Sequence, residues 1–145
     1  MLAKMILAPL LVLMLADEKD GAMPKPAAKL LTQNVWTLTS TGRDENRNGM
    51  IDATEETICE CEADNRYTFY TNGTGLIEEN QLECGNGLSE MQFCWRLINN
   101  DTSIDCNSSV FKIEILSEHE LIIYREIRNK NREPVKLLSR FTHEI

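Results

Sequence analysis

The sequence predicts an all-β protein, an eight-stranded antiparallel up-and-down barrel preceded by a short N-terminal helix. From residue 34 onward, apolar and polar residues alternate with the period of a β-strand. Turn residues interrupt this alternation at short intervals, leaving eight short runs that each have one apolar face. Closing such a meander into a barrel removes the exposed edges of an open sheet, so a barrel is favoured over the competing two-sheet sandwich.

The first sixteen residues have the features of an export signal. MLAKMILAPLLVLMLA places one Lys ahead of an almost unbroken apolar run of about a dozen residues. A membrane-spanning helix needs about 20 such residues, so this run is too short to span. Residues 1–16 are therefore predicted to be a signal peptide, and the mature chain to be periplasmic, on the cell surface or secreted, without a transmembrane span. Asp17 follows Ala16, so the Cys of a bacterial lipoprotein signal is missing and lipid attachment is not supported.

The next segment has the composition of a linker. Residues 17–29, DEKDGAMPKPAAK, are charged and then rich in Pro and Ala, and cannot bury enough apolar surface to fold. They are predicted to be a flexible tether, and residues 30–145 the barrel domain. At this boundary, PKPAAKLLTQ fits one or two helical turns with Leu30 and Leu31 as the buried contacts.

The eight predicted strands follow in chain order. The first, NVWTLTST, is rich in β-branched and aromatic residues. The second, RYTFYT, ends in Asn72 and Gly73, the strongest short hairpin signal, which leads into the third, TGLIEEN. The other five are QFCWRLI, TSIDC, VFKIEIL, HELIIYRE and PVKLLSRFT.

Aromatic residues recur on the apolar faces of these strands. They fit either an aromatic-lined ligand cavity or a filled core, and small eight-stranded barrels often are filled, which favours little or no cavity. Two single arginines on strands, Arg96 and Arg125, are expected to lie on the exterior, contact with a charged ligand being the alternative. The six aromatic residues are Trp36, Phe69, Phe93, Trp95, Phe111 and Phe141.

Residues 43–56, RDENRNGMIDATEE, match the calcium loop of an EF-hand. Read from Asp44, the twelve-residue window carries Asp, Asn, Asn, Gly, an aliphatic residue, Asp and Glu at positions 1, 3, 5, 6, 8, 9 and 12. Ca²⁺ takes six to eight oxygen ligands, which such a loop supplies by curling around the ion. The predicted ligands are the side chains of Asp44, Asn46, Asn48, Asp52 and Glu55 and the backbone carbonyl of Met50.

The surroundings of this loop indicate a structural clamp and not a calcium switch. The preceding NVWTLTST does not read as a helix, so the helix-moving half of an EF-hand is absent. The segment ATEETICE is expected to start a short helix, capped by Asp52, that holds Glu55 at the ion. With three carboxylates the expected dissociation constant is about 10⁻⁴ to 10⁻⁶ M. A solvated loop without metal is the alternative, because turns use Asp, Asn and Gly anyway.

The five cysteines agree with export, because disulfides persist in oxidising compartments. Two bridges with one thiol left over are expected, with the pairing open. A bridge between Cys94 and Cys106 would cross a hairpin centred on Asn100, although the two lie on opposite faces and a bulge would be required. Zinc is disfavoured, since no CxxC pair occurs and both His are far from the cysteines.

Composition and motifs disfavour two classes of function. The net charge of -8, with no cluster of cations, would repel a phosphate backbone, so nucleic acid is not an expected partner. His119 and His143 each neighbour a Glu, but adjacent residues on a strand face opposite ways and cannot act as a dyad. With no nucleophile, zinc-protease or phosphate-loop motif either, the chain is not expected to be an enzyme.

A set of segments, in order, resembles the small lipocalin-like domains of exported bacterial proteins, which are often lipoproteins. The segments are LLTQNVWTLTS, the Asp/Asn/Gly loop, CEADNRYTFYTNGTG, a Cys at 84, FCWRL and FKIEILSEHELII, and they cover residues 30–143. The resemblance implies an eight-stranded barrel with a short N-terminal helix, and a disulfide between Cys61 and Cys84. It implies little about activity, because fold alone does not give function.

The predicted function is that of an exported, non-enzymatic binding protein for a small hydrophobic ligand. In this interpretation a structural Ca²⁺ ion stabilises the loop between the first two strands. The alternative is a surface module that binds a protein or a glycan through its loops, over a filled barrel.

Overall fold

The computed structural model describes residues 25–85 and 89–143, and in them eight antiparallel strands close into a barrel in sequence order. The predicted up-and-down barrel is confirmed, and the sandwich alternative is wrong. The predicted signal peptide, residues 1–16, and most of the tether lie outside the described residues. The elements are α1 (Ala27–Thr32), β1 (Val35–Asp44), β2 (Arg66–Phe69), β3 (Thr74–Glu78), β4 (Glu90–Ile98), β5 (Ser103–Cys106), β6 (Ser109–Leu116), β7 (Glu120–Arg128) and β8 (Pro134–Thr142).

Helix α1 covers one end of the barrel, which we call the closed end. It begins inside the stretch predicted as tether, and it contacts β2 and β6, which are on opposite sides of an eight-stranded barrel. Leu31 of α1 and Trp36 of β1 are both fully buried there, and the Trp36 Nε1–H donates to the Leu31 carbonyl at 3.0 Å. The predicted helix with a buried Leu31 is therefore confirmed. No helix in the described part of the chain is long and apolar enough to cross a membrane.

The opposite end of the barrel, which we call the mouth, is where β1 ends and β8 begins. The β5–β6 and β7–β8 turns also lie there, as does the long connection from β1 to β2. This connection includes one turn of 3-10 helix, Glu60–Glu62. Strand β1 pairs with β8 from Thr37 to Asp44 but with β2 only from Val35 to Thr37, so the upper half of one β1 edge is free for the connection to cover.

The predicted hairpin turn between β2 and β3 is confirmed. Gly73 has φ +84°, a left-handed conformation that favours glycine. The Asn72 side-chain oxygen accepts hydrogen bonds from the Thr74 backbone N–H at 3.0 Å and from its hydroxyl at 2.7 Å. Gly73 therefore takes the left-handed position of the turn, and Asn72 caps it with its side chain.

One disulfide is formed, between Cys61 in the 3-10 helix and Cys84 beyond β3, as the family resemblance implied. The expectation of two bridges is wrong, because Cys59, Cys94 and Cys106 are free thiols. In the β4–β5 pairing Cys106 lies opposite Trp95, so Cys106 shares the inner face with that buried indole while Cys94 is exposed on the outer face. No bulge brings the two together.

Candidate functional site

The interior of the barrel contains an apolar cavity of about 350 Å³. The expectation of a filled core is therefore wrong. The physical reason is that the small inward side chains of Ser109 and Ser139 leave space that the aromatic rings do not fill, whereas the space over Gly75 is taken by the Phe93 ring. This volume lies in the range of small-molecule sites, about 300 to 1,000 Å³. The lining residues are Leu38, Tyr67, Phe69, Ile77, Met91, Phe93, Cys106, Asn107, Ser109, Phe111, Leu121, Ile123, Ser139 and Phe141.

Edge-to-face aromatic contacts fix the rings around one side of the cavity. The Phe69 ring is 5.3 Å from that of Phe93, at 82°, and 5.4 Å from that of Trp95, at 87°. Tyr67 and Phe141 form a similar pair, with centroids 5.0 Å apart. Such contacts contribute about 0.5 to 1.5 kcal/mol each beyond area burial. These rings are consequently held in fixed orientations around an apolar space.

Of the six aromatic residues singled out in the sequence, the four phenylalanines line the cavity and the two tryptophans do not. Trp36 seals the closed end. Trp95 donates its Nε1–H to the carbonyls of Tyr70 at 3.1 Å and Thr74 at 2.9 Å, which ties β4 to the β2–β3 turn. Both indole N–H groups are satisfied by backbone, as buried Trp requires.

Two titratable groups line the cavity, and both are neutral at physiological pH. Burial raises the pKa of Tyr67 to about 12, with the negative charge of Glu62 acting in the same direction. Burial also raises the pKa of the Cys106 thiol to about 11, helped by Asp105. These side chains offer a ligand a hydroxyl and a weakly polar thiol, without charge.

The two arginines discussed from the sequence lie on different faces. Arg96 is exterior, as expected, and its Nη2 is 2.9 Å from Oδ2 of Asp105 on β5. Arg125 follows Ile123 by two residues on β7, and Ile123 lines the cavity, so Arg125 is on the inward face towards the mouth. The side chain is exposed, as expected, but the expectation that it lies on the outer face of the barrel is wrong.

The predicted calcium loop runs from the end of β1. Asp44 is only 3% exposed, and its carboxylate accepts hydrogen bonds from the backbone N–H groups of Asn48 and Gly49, both at 2.9 Å. The loop therefore curls back over its own first residue. Gly49 has φ +79°, which places the glycine at the sharp turn where the sequence pattern requires it.

The last predicted ligand closes the loop from the other side. The Glu55 carboxylate accepts backbone N–H groups from Glu45 at 2.8 Å, Asn46 at 3.2 Å and Asp52 at 3.1 Å. The last of these is the reciprocal half of a capping box, in which a Glu reaches back to the N-cap residue. Asp52 and Glu55 therefore interact as their spacing predicted.

The remaining predicted ligands are joined to the same network. The Asp52 carboxylate accepts the side-chain amides of Asn46 at 2.6 Å and Asn48 at 3.2 Å. The Asn48 side-chain oxygen in turn accepts the N–H of Met50, whose side chain is 62% exposed. The structure thus brings all five predicted side-chain ligands into one hydrogen-bonded loop. Across residues 25–85 and 89–143, however, no three His, Cys, Asp or Glu side chains are clustered as metal ligands.

The predicted helix after the loop is wrong. A single turn forms, with the N–H groups of Glu55 and Glu56 both donating to the Asp52 carbonyl. Glu56 then makes an isolated antiparallel bridge with Gly42, and the Thr57 N–H donates to the Thr41 carbonyl at 2.7 Å. The segment pairs instead with the part of the β1 edge that β2 leaves free. These strand-type contacts replace the hydrogen bonds that a helix would make.

Ion pairs and hydrogen bonds also tie the loop to the β7–β8 turn at the mouth. The Asn129 side-chain amide donates to Glu45 at 3.3 Å, and Arg47 Nη2 is 3.3 Å from Oε2 of Glu133. The loop itself lies against the outer face of the barrel, where Met50 and Ile51 approach Leu138 across a shallow groove. It therefore borders the mouth without entering the cavity.

No family model matches the chain, and no curated protein matches it. Among solved structures it is similar to a complex of bovine odorant binding protein with a selenium containing odorant, at 14% identity over 83% of this chain and 74% of that one, with a TM-score of 0.44. It is also similar to a deswapped triple mutant of bovine odorant binding protein, at 15% identity over 80% and 75%, with a TM-score of 0.42.

Proposed function

We propose that the chain is an exported, non-enzymatic, lipocalin-like protein that binds a small hydrophobic ligand inside its barrel. The observation that carries this proposal is the cavity of about 350 Å³ lined by four phenylalanine rings. Each methylene group that a ligand buries there contributes about 0.8 kcal/mol. The rigid edge-to-face pairs reduce the entropy lost on binding, because little of the wall has to be ordered.

The chemistry of the wall supports binding without catalysis. A general base or a nucleophile works best with a pKa near the operating pH, whereas the pKa values of Tyr67 and Cys106 are raised to about 12 and about 11. Neither side chain therefore supplies a base or a thiolate at neutral pH. Export is supported by the signal-like N-terminal sequence and by the Cys61–Cys84 disulfide, a bond typical of oxidising compartments.

Binding of the uncharged fluorophore N-phenylnaphthylamine tests the cavity directly. We expect its fluorescence to rise on mixing with the protein and dodecanol to displace it. The variant Ser139→Phe fills the cavity from β8 and should abolish the rise, while Gln92→Phe adds the same ring on the exposed outer face of β4 and should not. Equal binding by wild type and Ser139→Phe, with both folded by circular dichroism, would place the ligand elsewhere.

The second part of the proposal is a structural Ca²⁺ ion in the loop from Asp44 to Glu55. Support comes from the donor set, which contains only oxygens, the ligands that Ca²⁺ prefers. Asp44 and Glu55 stand at the two ends of the loop and are already held by backbone N–H groups within one network. Bound Ca²⁺ would neutralise the carboxylates and stiffen the mouth, to which Glu45 and Arg47 connect the loop.

Thermal melting with and without calcium tests this second part. For a dissociation constant of about 10⁻⁴ to 10⁻⁶ M, about 1 mM Ca²⁺ stabilises the fold by about 1.4 to 4 kcal/mol. The melting temperature should then rise by about 5 to 15 °C. Asp44→Ala and Glu55→Gln should abolish the rise relative to their own metal-free values, and Glu90→Gln, on the outer face of β4, should keep it. An unchanged wild-type melting temperature would refute the ion.

The alternative, a module that binds a protein or glycan through its loops, requires a packed interior and exposed aromatic residues on the loops. The interior contains a cavity, and in the described ranges Tyr70, 44% exposed, is the one large aromatic residue at the surface. The cavity therefore favours the small-ligand function.

A further inference from the structure

The inward-facing positions of the barrel strands carry two cations and no carboxylate. The cations are Arg43 on β1 and Arg125 on β7, and the register pairs both with Leu137 of β8, the strand between them. The chain as a whole has more acidic residues, 23, than basic ones, 15. The inward strand positions therefore have the opposite sign of charge to the whole chain. Only the inward strand positions are free of negative charge; the loops around the mouth carry carboxylates such as Glu45 and Glu133.

The alternation of the strands fixes the direction of these arginines. On β8, Phe141 and Ser139 line the cavity, so Leu137 is the next inward residue towards the mouth. Arg43 and Arg125 share the level of Leu137 and therefore its face. Neighbouring strands lie about 4.8 Å apart, so the two Cα atoms are separated by roughly 10 Å across β8. Long guanidinium side chains can reach one group between them.

The neighbours of Arg43 on β1 have the opposite orientation, which confirms this assignment. A Cβ on Gly42 would meet Glu55 and Ile51 of the loop on the outer face, and Asp44 is held by that same loop. A residue between two outward neighbours on a strand faces inward.

Cations on the outer face of the barrel differ from these two arginines in forming ion pairs. Four of them are each paired with a carboxylate on a neighbouring strand, whereas Arg43 and Arg125 have no carboxylate within 4.0 Å in the described ranges. The four outer pairs are Arg96 with Asp105, Lys112 with Glu126, Lys136 with Glu114 and Arg140 with Glu120.

We infer that Arg43 and Arg125 bind the anionic head group of a single-chain amphiphile whose apolar tail occupies the cavity. This inference rests on the proposed function, because the cavity must accept the tail. A guanidinium presents a planar fork of donors that matches a carboxylate, and the charge-assisted bonds are stronger than neutral ones. The Phe-lined interior and the two inward arginines together favour a ligand that is apolar at one end and negative at the other.

Three probes with the same tail test the head group. Dodecanoate, dodecanol and dodecyltrimethylammonium each compete with bound N-phenylnaphthylamine at pH 7.4 in low salt. Dodecanoate should bind more tightly than dodecanol by about fivefold or more, and the cationic probe more weakly than both. Added salt should reduce the advantage of dodecanoate, because the head lies at the solvent-exposed mouth.

A double variant with a charge-matched control assigns the effect to the two arginines. Arg43→Gln with Arg125→Gln should remove the preference for dodecanoate and leave the dodecanol constant within about twofold. Arg66→Gln with Arg128→Gln removes the same charge from outward positions of β2 and β7 and should keep the preference.

The outcomes separate this inference from the function on which it depends. Equal binding of dodecanoate and dodecanol, or a preference that survives in the inward double variant, would overturn the head-group site while leaving the apolar cavity intact. If neither N-phenylnaphthylamine nor dodecanol binds the wild-type protein, the cavity fails as a ligand site and the inference fails with it.

Discussion

Gly42 on β1 lies directly under Ile51 of the loop, so closely that a Cβ on the glycine would be 2.6 Å from Cγ2 of Ile51. The same Cβ would be 2.4 Å from the backbone oxygen of Glu55. Real Cβ atoms do not approach backbone this closely, so only glycine allows the loop to settle on the strand. Because Gly42 has no side chain, Ile51 and Glu55, at positions 8 and 12 of the calcium-type pattern, can both pack against β1.

The substitution Gly42→Val should lift the loop from β1. The added carbons collide with backbone, which cannot rotate away, and we expect a loss of about 1 to 3 kcal/mol in the free energy of unfolding, measured in urea. The calcium-dependent rise in melting temperature should shrink as well, because Glu55 would be displaced. Thr37→Val, on β1 but away from the loop, should leave both quantities unchanged. A stable Gly42→Val with a full calcium response would contradict the contact.

The close approach at Gly42 was not predictable from the sequence, although the loop itself was. The pattern from Asp44 to Glu55 is local, and local hydrogen bonds in the structure reproduce it. Where the loop lies depends on the register of β1, whose upper edge β2 leaves free. That free edge also explains why the segment after Glu55 pairs as a strand although its local sequence suggested a helix.

The strands were predictable because one buried face imposes a period of two residues, and all eight predicted runs are strands. The cavity was not, because alternation says which side chains face inward but not whether their volumes fill the space. The same periodicity could have found Arg125, since it follows Leu121 and Ile123 at even spacing. The inward orientation of Arg43 was not predictable in this way, because the bulge between Leu38 and Ser40 shifts the alternation by one residue.

Glu56 anchors the start of the strand-like stretch, and its contribution should depend on pH. Burial alone would raise the pKa of its carboxyl, but hydrogen bonds from Ser40 and from the backbone of Thr41 and Ile58 outweigh this and hold the pKa below its usual 4.5. A carboxylate with a lowered folded-state pKa stabilises the fold above the unfolded-state pKa and loses that effect as the pH falls through the folded-state value. The stabilisation should therefore be full at neutral pH and fade below about pH 4.

The comparison of Glu56→Gln with wild type checks this dependence. The variant should melt at a lower temperature than wild type at pH 7, and the gap should close as the pH falls. Glu90→Gln serves as the control, because it lies on the outer face of β4 away from the loop. A gap that stays constant down to pH 3 would show that Glu56 acts through packing alone.

The Cys61–Cys84 disulfide closes a segment with a sequence separation of 23 residues. In the chain-entropy estimate, a loop of this length contributes about 3 kcal/mol through the unfolded state. Replacing both cysteines by Ser should lower the free energy of unfolding by about that amount, measured in urea. Cys59→Ser is the matched control, because that thiol is exposed and free and its loss should change little. A double variant as stable as wild type would show that the disulfide does not stabilise the fold.

Cys106 offers a reporter of cavity occupancy that needs no fluorophore. Burial raises the pKa of this thiol to about 11. Cys94, in contrast, is exposed on the outer face of the barrel. The thiolate is the reactive form, so iodoacetamide at pH 8 should modify Cys106 about tenfold or more slowly than Cys94.

Ligand binding should slow the reaction of Cys106 further, since its side chain lines the cavity, and leave that of Cys94 unchanged. Peptide mapping by mass spectrometry after timed alkylation, with and without dodecanol, measures both rates in one sample. Cys94 thereby serves as the internal control for reagent and pH. If dodecanol protects both thiols equally, the protection reflects global stabilisation, and if it protects neither, the ligand does not enter the cavity beside Cys106.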